Sequence, residues 1–259
     1  MRTITATRYV TPLREGGSLP AIVEADDSGL YVVKFRGAGQ GLKALVAELI
    51  VGELARAIGL RVPELVLIDV DAALGRNEPD DEIRDLLRAS VGLNVALDYL
   101  PGAVTFDPTV GPFPPPELAS SIVWFDAFTT NVDRTPRNPN LLCWHRRLYL
   151  IDHGAALYFH HDWGDPRKKA RAPFAAIRDH VLLPWAAELG AADRQLRPLL
   201  MREVFQRALA EIPDSWLTDE PAVPTPLARR EAYADYLEAR LEASSIFLEE
   251  AARARESLV

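Results

Sequence analysis

Apolar and polar positions alternate through the first part of the chain. AIVEA (Ala21 to Ala25) and LYVVKF (Leu30 to Phe35) flank Asp26-Asp27-Ser28-Gly29, a hairpin turn signal, so residues 4 to 36 read as strands joined by turns. Glu15-Gly16-Gly17-Ser18 reads as a further tight, flexible turn. The period then lengthens. Leu42, Leu45, Val46, Leu49 and Ile50 fall on one stripe, which predicts a helix from about Leu42 to Ile58, with Gly59 as its C-cap. ELVLIDVDAAL reads as a strand, Asp80 to Ala89 as a short helix, and NVALDYL (Asn94 to Leu100) as another strand.

Proline and glycine thicken from Pro101 to Pro116, which marks a boundary or crossover. Beyond it Pro116 to Thr129 should be a helix, with Trp124, Phe125 and Phe128 in the core. LLCW and LYLID should form a hairpin around His145-Arg146-Arg147, the second strand ending at Asp152. From Phe174 onward the pattern is mainly helical, broken at Pro213 and at PAVPTP (Pro221 to Pro226). No internal repeat appears. The expected architecture is one α+β domain, a small mixed sheet over about residues 1–100 and a larger helical part over about 101–259.

Hydrophobic residues make up 48% and charged residues 25% of 259, the composition of an ordinary globular protein. The formal net charge of −8 and the lack of a long basic run argue against nucleic acid as a partner. The densest basic run, Arg167 to Arg171, reads as a solvated loop. Cys143, the single cysteine, excludes an internal disulfide and reads as a buried, inert thiol on a strand. MRTITATRYV lacks the apolar core of a signal peptide, and Glu48 and Glu53 interrupt the most apolar helix, so a cytoplasmic protein with no membrane partner is expected.

The chemistry concentrates in NVDRTPRNPNLLCWHRRLYLIDHG (Asn131 to Gly154), where Asp133, Asn138, Asn140 and Asp152 crowd around strand ends. So many oxygen-bearing side chains build a surface turn, or they hold a cation and a phosphate. Asp133-Arg-Thr-Pro-Arg-Asn138 fits D-x-x-x-x-N, a carboxylate that orients a hydroxyl followed by a metal ligand, and Asp152-His153-Gly154 supplies the second metal ligand, a carboxylate. Such a site also needs a strand lysine and a helix glutamate: Lys34, with Glu48 or Glu53. Asn140 either reaches the metal or phosphate or merely turns the chain, and Arg134 neutralises either the loop aspartate or a phosphate. The histidines around His160-His161 make a poor zinc site, because no cysteine joins them and adjacent side chains on an extended segment point apart.

YVVKFRG, AELIVGELARAIGLRVPE and FDAFTTNVDRTPRNPNLL followed by YLIDHG resemble the HipA-like kinases, and more distantly the phosphatidylinositol kinases, over about Gly16 to Phe159. In that family's pattern a glutamate precedes the L-A-x-x-x-G-L-x-V-P string at the distance of Glu48, so the resemblance implies Glu48 rather than Glu53. The resemblance implies a bilobal kinase fold binding ATP and Mg²⁺ and passing a phosphoryl group to a hydroxyl acceptor, most simply a Ser/Thr of a protein. Lys34 would meet the phosphates and Glu48 hold it. Asp133 would be catalytic, and Asn138 and Asp152 would bind Mg²⁺. Backbone groups at Asp98, Tyr99 and Leu100 would meet adenine, and Gly16, Gly17 and Ser18 would cover the phosphates. Gly37, Gly39 and Gly41 are expected only as a flexible lead into the helix. The longer toxins of the family carry an N-terminal region without counterpart here, and no A-P-E string follows Asp152, so neither an antitoxin partner nor activation-segment control is implied. A catalytically silent nucleotide-binding module, or a kinase of lipids or small molecules, is the alternative.

Overall fold

The computed structural model describes residues 1–13, 19–39, 41–76, 78–218 and 220–258. Five strands, β1 (Thr3–Pro12), β2 (Ala21–Ala25), β3 (Leu30–Lys34), β4 (Leu65–Val70) and β5 (Gly92–Asp98), close into a barrel in the order β1-β2-β3-β5-β4. β1 and β4 run parallel and the other pairs antiparallel, so the expected mixed sheet is present, with a closure that local pattern did not predict. The expected turn at Gly16-Gly17-Ser18 lies outside the described residues.

Alternation sorts the strand residues. Ile4, Ala6, Val23, Ala25, Tyr31, Val33, Val66, Ile68 and Ala96 form one buried cluster, closed by Ile83 and Leu87 of α2 (Asp81–Ala89). The other face of β4 and β5 (Leu65, Leu67, Val95, Leu97) joins a larger cluster with α1 (Gly41–Ala57) and the C-terminal helices. β4 and β5 are therefore covered on both sides, which is why LVLIDV reads as an almost unbroken apolar run.

α1 is buried all round through its middle, from Leu45 to Gly52, rather than along one stripe. It ends in a Schellman motif: Gly59 takes φ +84°, its N–H donates to the Arg56 carbonyl, and Leu60 N–H donates to that of Ala55. The Asp80 side chain caps α2, accepting from the amides of Glu82 and Ile83.

After a short strand β6 (Val104–Thr105), α3 (Pro116–Thr129) runs as anticipated, with Trp124, Phe125 and Phe128 buried. β7 (Leu141–Trp144) and β8 (Arg147–Leu150) pair through a two-residue turn in which His145 and Arg146 both have positive φ, the type I′ pattern. β8 stops at Leu150, two residues short of Asp152. Cys143 is half-buried rather than fully enclosed, and burial pushes its thiol pKa up. The basic run forms a short helix, α4 (Pro166–Ala170), rather than a loop. His160-His161 sits in a 3-10 turn rather than an extended segment, with His160 buried and its Nδ1 2.9 Å from the Tyr233 hydroxyl. α5 (Leu189–Leu196), α6 (Arg202–Ala210), α7 (Pro226–Glu242) and α8 (Ser244–Glu256) complete the chain. No helix among the described residues is long and apolar enough to cross a membrane.

Gly37 fixes how the chain passes from β3 to α1. A Cβ there would lie 2.6 Å from the Ala89 Cβ and 2.9 Å from the Ala89 backbone carbon. Neither neighbour can swing away, so Gly37→Ala should cost about 1–3 kcal/mol in urea or thermal unfolding; an unchanged midpoint would contradict this packing.

Candidate active site

Lys34 occupies the last position of β3, opposite Val95. Val33 points into the barrel cluster, so Lys34 shares the outer face with Val95, the side that α1 covers. Its side chain is only 12% exposed, so this strand lysine is not turned to solvent. Nζ lies 2.7 Å from Oδ2 of Asp152. Burial opposes the ammonium charge, but the carboxylates of Asp152 and Glu48 outweigh it and raise the pKa.

Glu48 lies within the buried middle of α1, 1% exposed, whereas Glu53 is half-buried and sits 3.8 Å from Arg56. Glu48 Oε2 accepts the His153 backbone N–H at 2.7 Å, and Oε1 is 3.5 Å from His153 Nδ1. Among the described residues no ion pair joins Glu48 to Lys34 directly. Burial favours a protonated Glu48, yet contact with His153 and the charge of Lys34 prevail and hold its carboxyl below the usual range.

Asp133, Asn138 and Asn140 stand on the loop after α3. Asn138 Nδ2 donates to Asp133 Oδ2 at 2.7 Å, and Asn140 Nδ2 to the same oxygen at 3.3 Å. Asn140 thus aims Asp133, which neither reading of it from sequence had foreseen. Burial, reinforced by the negative charge of Asp152, raises the Asp133 pKa despite these two donors.

The loop hangs on a buried cluster. Arg134, 1% exposed, meets neither Asp133 nor a phosphate site; its Nε donates to Asp126 Oδ2 at 2.5 Å, and Asp126 is fully buried on α3. Arg134 Nη1 also donates to the backbone carbonyls of Asn140 and Ile151, the second at 3.3 Å. His180 Nε2 lies 2.9 Å from the same Asp126 oxygen while its Nδ1 accepts the Leu182 N–H, which makes Nε2 the donor of a neutral imidazole. Burial depresses the His180 pKa in agreement with that. Asn131 Nδ2 donates to Asp126 Oδ1 at 3.1 Å, and Asn131 Oδ1 accepts the Asp133 N–H. Burial would raise the Asp126 pKa, but the Arg134 charge and the His180 hydrogen bond hold it well below the usual carboxylate range. Reading motifs alone missed Asp126. Its signal was an aspartate set in Trp-Phe-Asp-Ala-Phe, where a charge must find a partner.

Lys34, Glu48, Asp133, Asn138 and Asp152 line one cavity of about 250 Å³, with Gly154. Ala38, Gly39, Gly41 and Ala44 form its other wall, so the second glycine-rich stretch borders the site instead of merely leading into α1. Asp98, Tyr99 and Leu100 lie at the end of β5, outside this lining. Asp98 N–H already donates to the Glu64 carbonyl and Tyr99 N–H to that of Leu30. The cavity offers an amide oxygen and carboxylate oxygens but no sulfur or imidazole, a donor set suited to Mg²⁺, which takes few protein ligands and completes its shell with water and phosphate. No group of three or more His, Cys, Asp or Glu among the described residues is arranged to cage a metal. A larger, open groove of about 1170 Å³ lies elsewhere, between α4 and α7.

A buried lysine and clustered carboxylates around a small cavity are the parts of a phosphotransferase of the kinase type. The model of the HipA-like kinases matches residues 7–243, and the chain belongs to that family. In structure it is similar to the proinflammatory kinase CtkA of Helicobacter pylori, with a TM-score of 0.58 and 14% sequence identity over 100% of this chain and 99% of that one. None of the curated proteins matches it.

The Asp126–Arg134 pair makes two predictions. Arg134→Met strands a buried carboxylate and should cost about 3–5 kcal/mol in urea unfolding. The folded Asp126 pKa is depressed below its unfolded value of about 4, so its stabilisation is complete above that pH and drains away as the pH falls below it. Urea midpoints from pH 7 to 2.5 should drop more steeply for the wild type than for Asp126→Asn; parallel profiles would contradict the assignment.

Proposed function

We propose that the protein is an ATP- and Mg²⁺-dependent kinase with a bilobal fold in one domain, acting on a Ser/Thr hydroxyl of a protein. The single observation that carries this reading is the convergence of Lys34, Asp133, Asn138 and Asp152 on one cavity. Asp133 orients the acceptor hydroxyl and takes its proton, and its raised pKa suits a base. Asn140 and Asn138 keep Oδ2 of Asp133 engaged and leave Oδ1 toward the acceptor. Lys34 neutralises charge on the transferring phosphoryl group. Asn138, through its amide oxygen, and Asp152 would hold Mg²⁺, which when bound supplies charge neutralisation for the phosphates.

Lys34 pairs with Asp152 and keeps two further N–H donors for the phosphates. The Asp98 and Tyr99 amides are already bonded, and the Leu100 amide, with no partner among the described residues, would meet the adenine edge. Gly16, Gly17 and Ser18 keep the role of covering the phosphates as a proposal only. A net charge of −8 disfavours an anionic membrane surface and hence a lipid acceptor.

Thermal unfolding tests the binding half of this reading. ATP with Mg²⁺ at about 100 times the dissociation constant should stabilise the wild type by roughly 2.7 kcal/mol. The shift should need Mg²⁺ and vanish in Asp152→Ala. Asp133→Asn should keep the shift while phosphoryl transfer falls by about 10²–10⁴-fold. A wild type unmoved by saturating nucleotide would overturn the assignment.

A further inference from the structure

Lys34 and Glu48 face the same cavity, yet their closest polar contacts are not with each other. Lys34 Nζ sits on Asp152, and Glu48 Oε2 accepts the His153 backbone N–H at 2.7 Å. Asp152 has φ +55°, a left-handed conformation that a non-glycine residue keeps only when its surroundings hold it there. The amide that follows Asp152 is thus the point at which the turn is held or lost. His153 is wholly buried, so within the protein Glu48 is the acceptor its amide has. The next residue adds a steric constraint: a Cβ on Gly154 would come within 3.4 Å of the Ala44 Cβ, so the first turn of α1 rests directly on this segment. α1 therefore grips the Asp152 turn twice, once by packing and once by a hydrogen bond.

We propose that Glu48 is a positioning residue for Asp152, acting as the hydrogen-bond acceptor that holds the left-handed turn, and that its negative charge toward Lys34 is secondary. This rests on reading Asp152 as a metal ligand, and it departs from the expectation that Glu48 exists to hold Lys34. What the turn requires is an oxygen at this place, and an amide oxygen meets that requirement as a carboxylate does.

Glu48→Gln keeps the oxygen and removes the charge, and Glu48→Ala removes both. Hydrogen exchange at the His153 amide, followed by NMR in the full chain without nucleotide, should be within about threefold of wild type in Glu48→Gln and at least about tenfold faster in Glu48→Ala. The Mg²⁺ concentration for half-maximal phosphoryl transfer should follow the same order, nearly unchanged in the first variant and raised about tenfold or more in the second. Glu48→Gln exchanging as fast as Glu48→Ala, or losing Mg²⁺ response to the same degree, would overturn the proposal in favour of a charge pair with Lys34. If Glu48→Ala does not fold, Glu48→Gln decides alone: wild-type exchange supports the clamp and fast exchange overturns it. The predicted exchange pattern in a protein whose transfer needs no Mg²⁺ would keep the clamp and discard the metal role of Asp152.

Discussion

A fully desolvated ion pair, Asp126 with Arg134, is the constraint on which the rest of the site depends. Two charges taken out of water gain little from each other unless further hydrogen bonds surround them. Here those bonds do the organising. Asp126 also takes His180 and Asn131, while Arg134 reaches the carbonyls of Asn140 and Ile151. One pair therefore ties α3, the loop carrying Asp133, and the segment between β8 and Asp152 into one rigid unit. Removing either charge would release both carboxylate-bearing segments at once.

The opposite wall is set by different forces. α1 is sandwiched between the outer face of β4 and β5 and the C-terminal helices, which buries Glu48 with it. Strand alternation puts Lys34 on that same covered face. Small residues, Gly39, Gly41 and Ala44, leave room for the cavity. The polar groups of the site thus stand in an apolar frame, and two of them, Asp133 and Glu48, are also held by Asn140 and His153, which do not line the cavity.

Much of this was legible in the sequence. The periods of 2 and 3.6 located β2, β3, α1 and α3 closely because each is bounded by a strong local signal, such as Asp26 to Gly29, Gly59 or Pro116. The D-x-x-x-x-N string and Asp152 marked the cavity because they are short and local. Barrel closure was not legible, since the parallel pairing of Thr3 to Thr5 with Leu67 to Asp69 joins segments far apart in the chain. Arg134 was read only in part for the same reason: its charge does act on Asp133, but its hydrogen-bonded partner is Asp126, eight residues away across a helix end. Glu48 was picked by the family resemblance, yet its bond to His153 spans 105 positions and no local pattern encodes it.

Transfer of the γ-phosphoryl group itself tests the central claim most directly. Purified protein given γ-labelled ATP and a mixture of hydroxyl-bearing proteins would be followed with Mg²⁺, with chelator, and as Asp133→Asn. The account predicts stable label on Ser or Thr that requires both Mg²⁺ and Asp133. Label that persists in Asp133→Asn, or ATP left intact by a protein that binds it, would contradict the role assigned to this cavity.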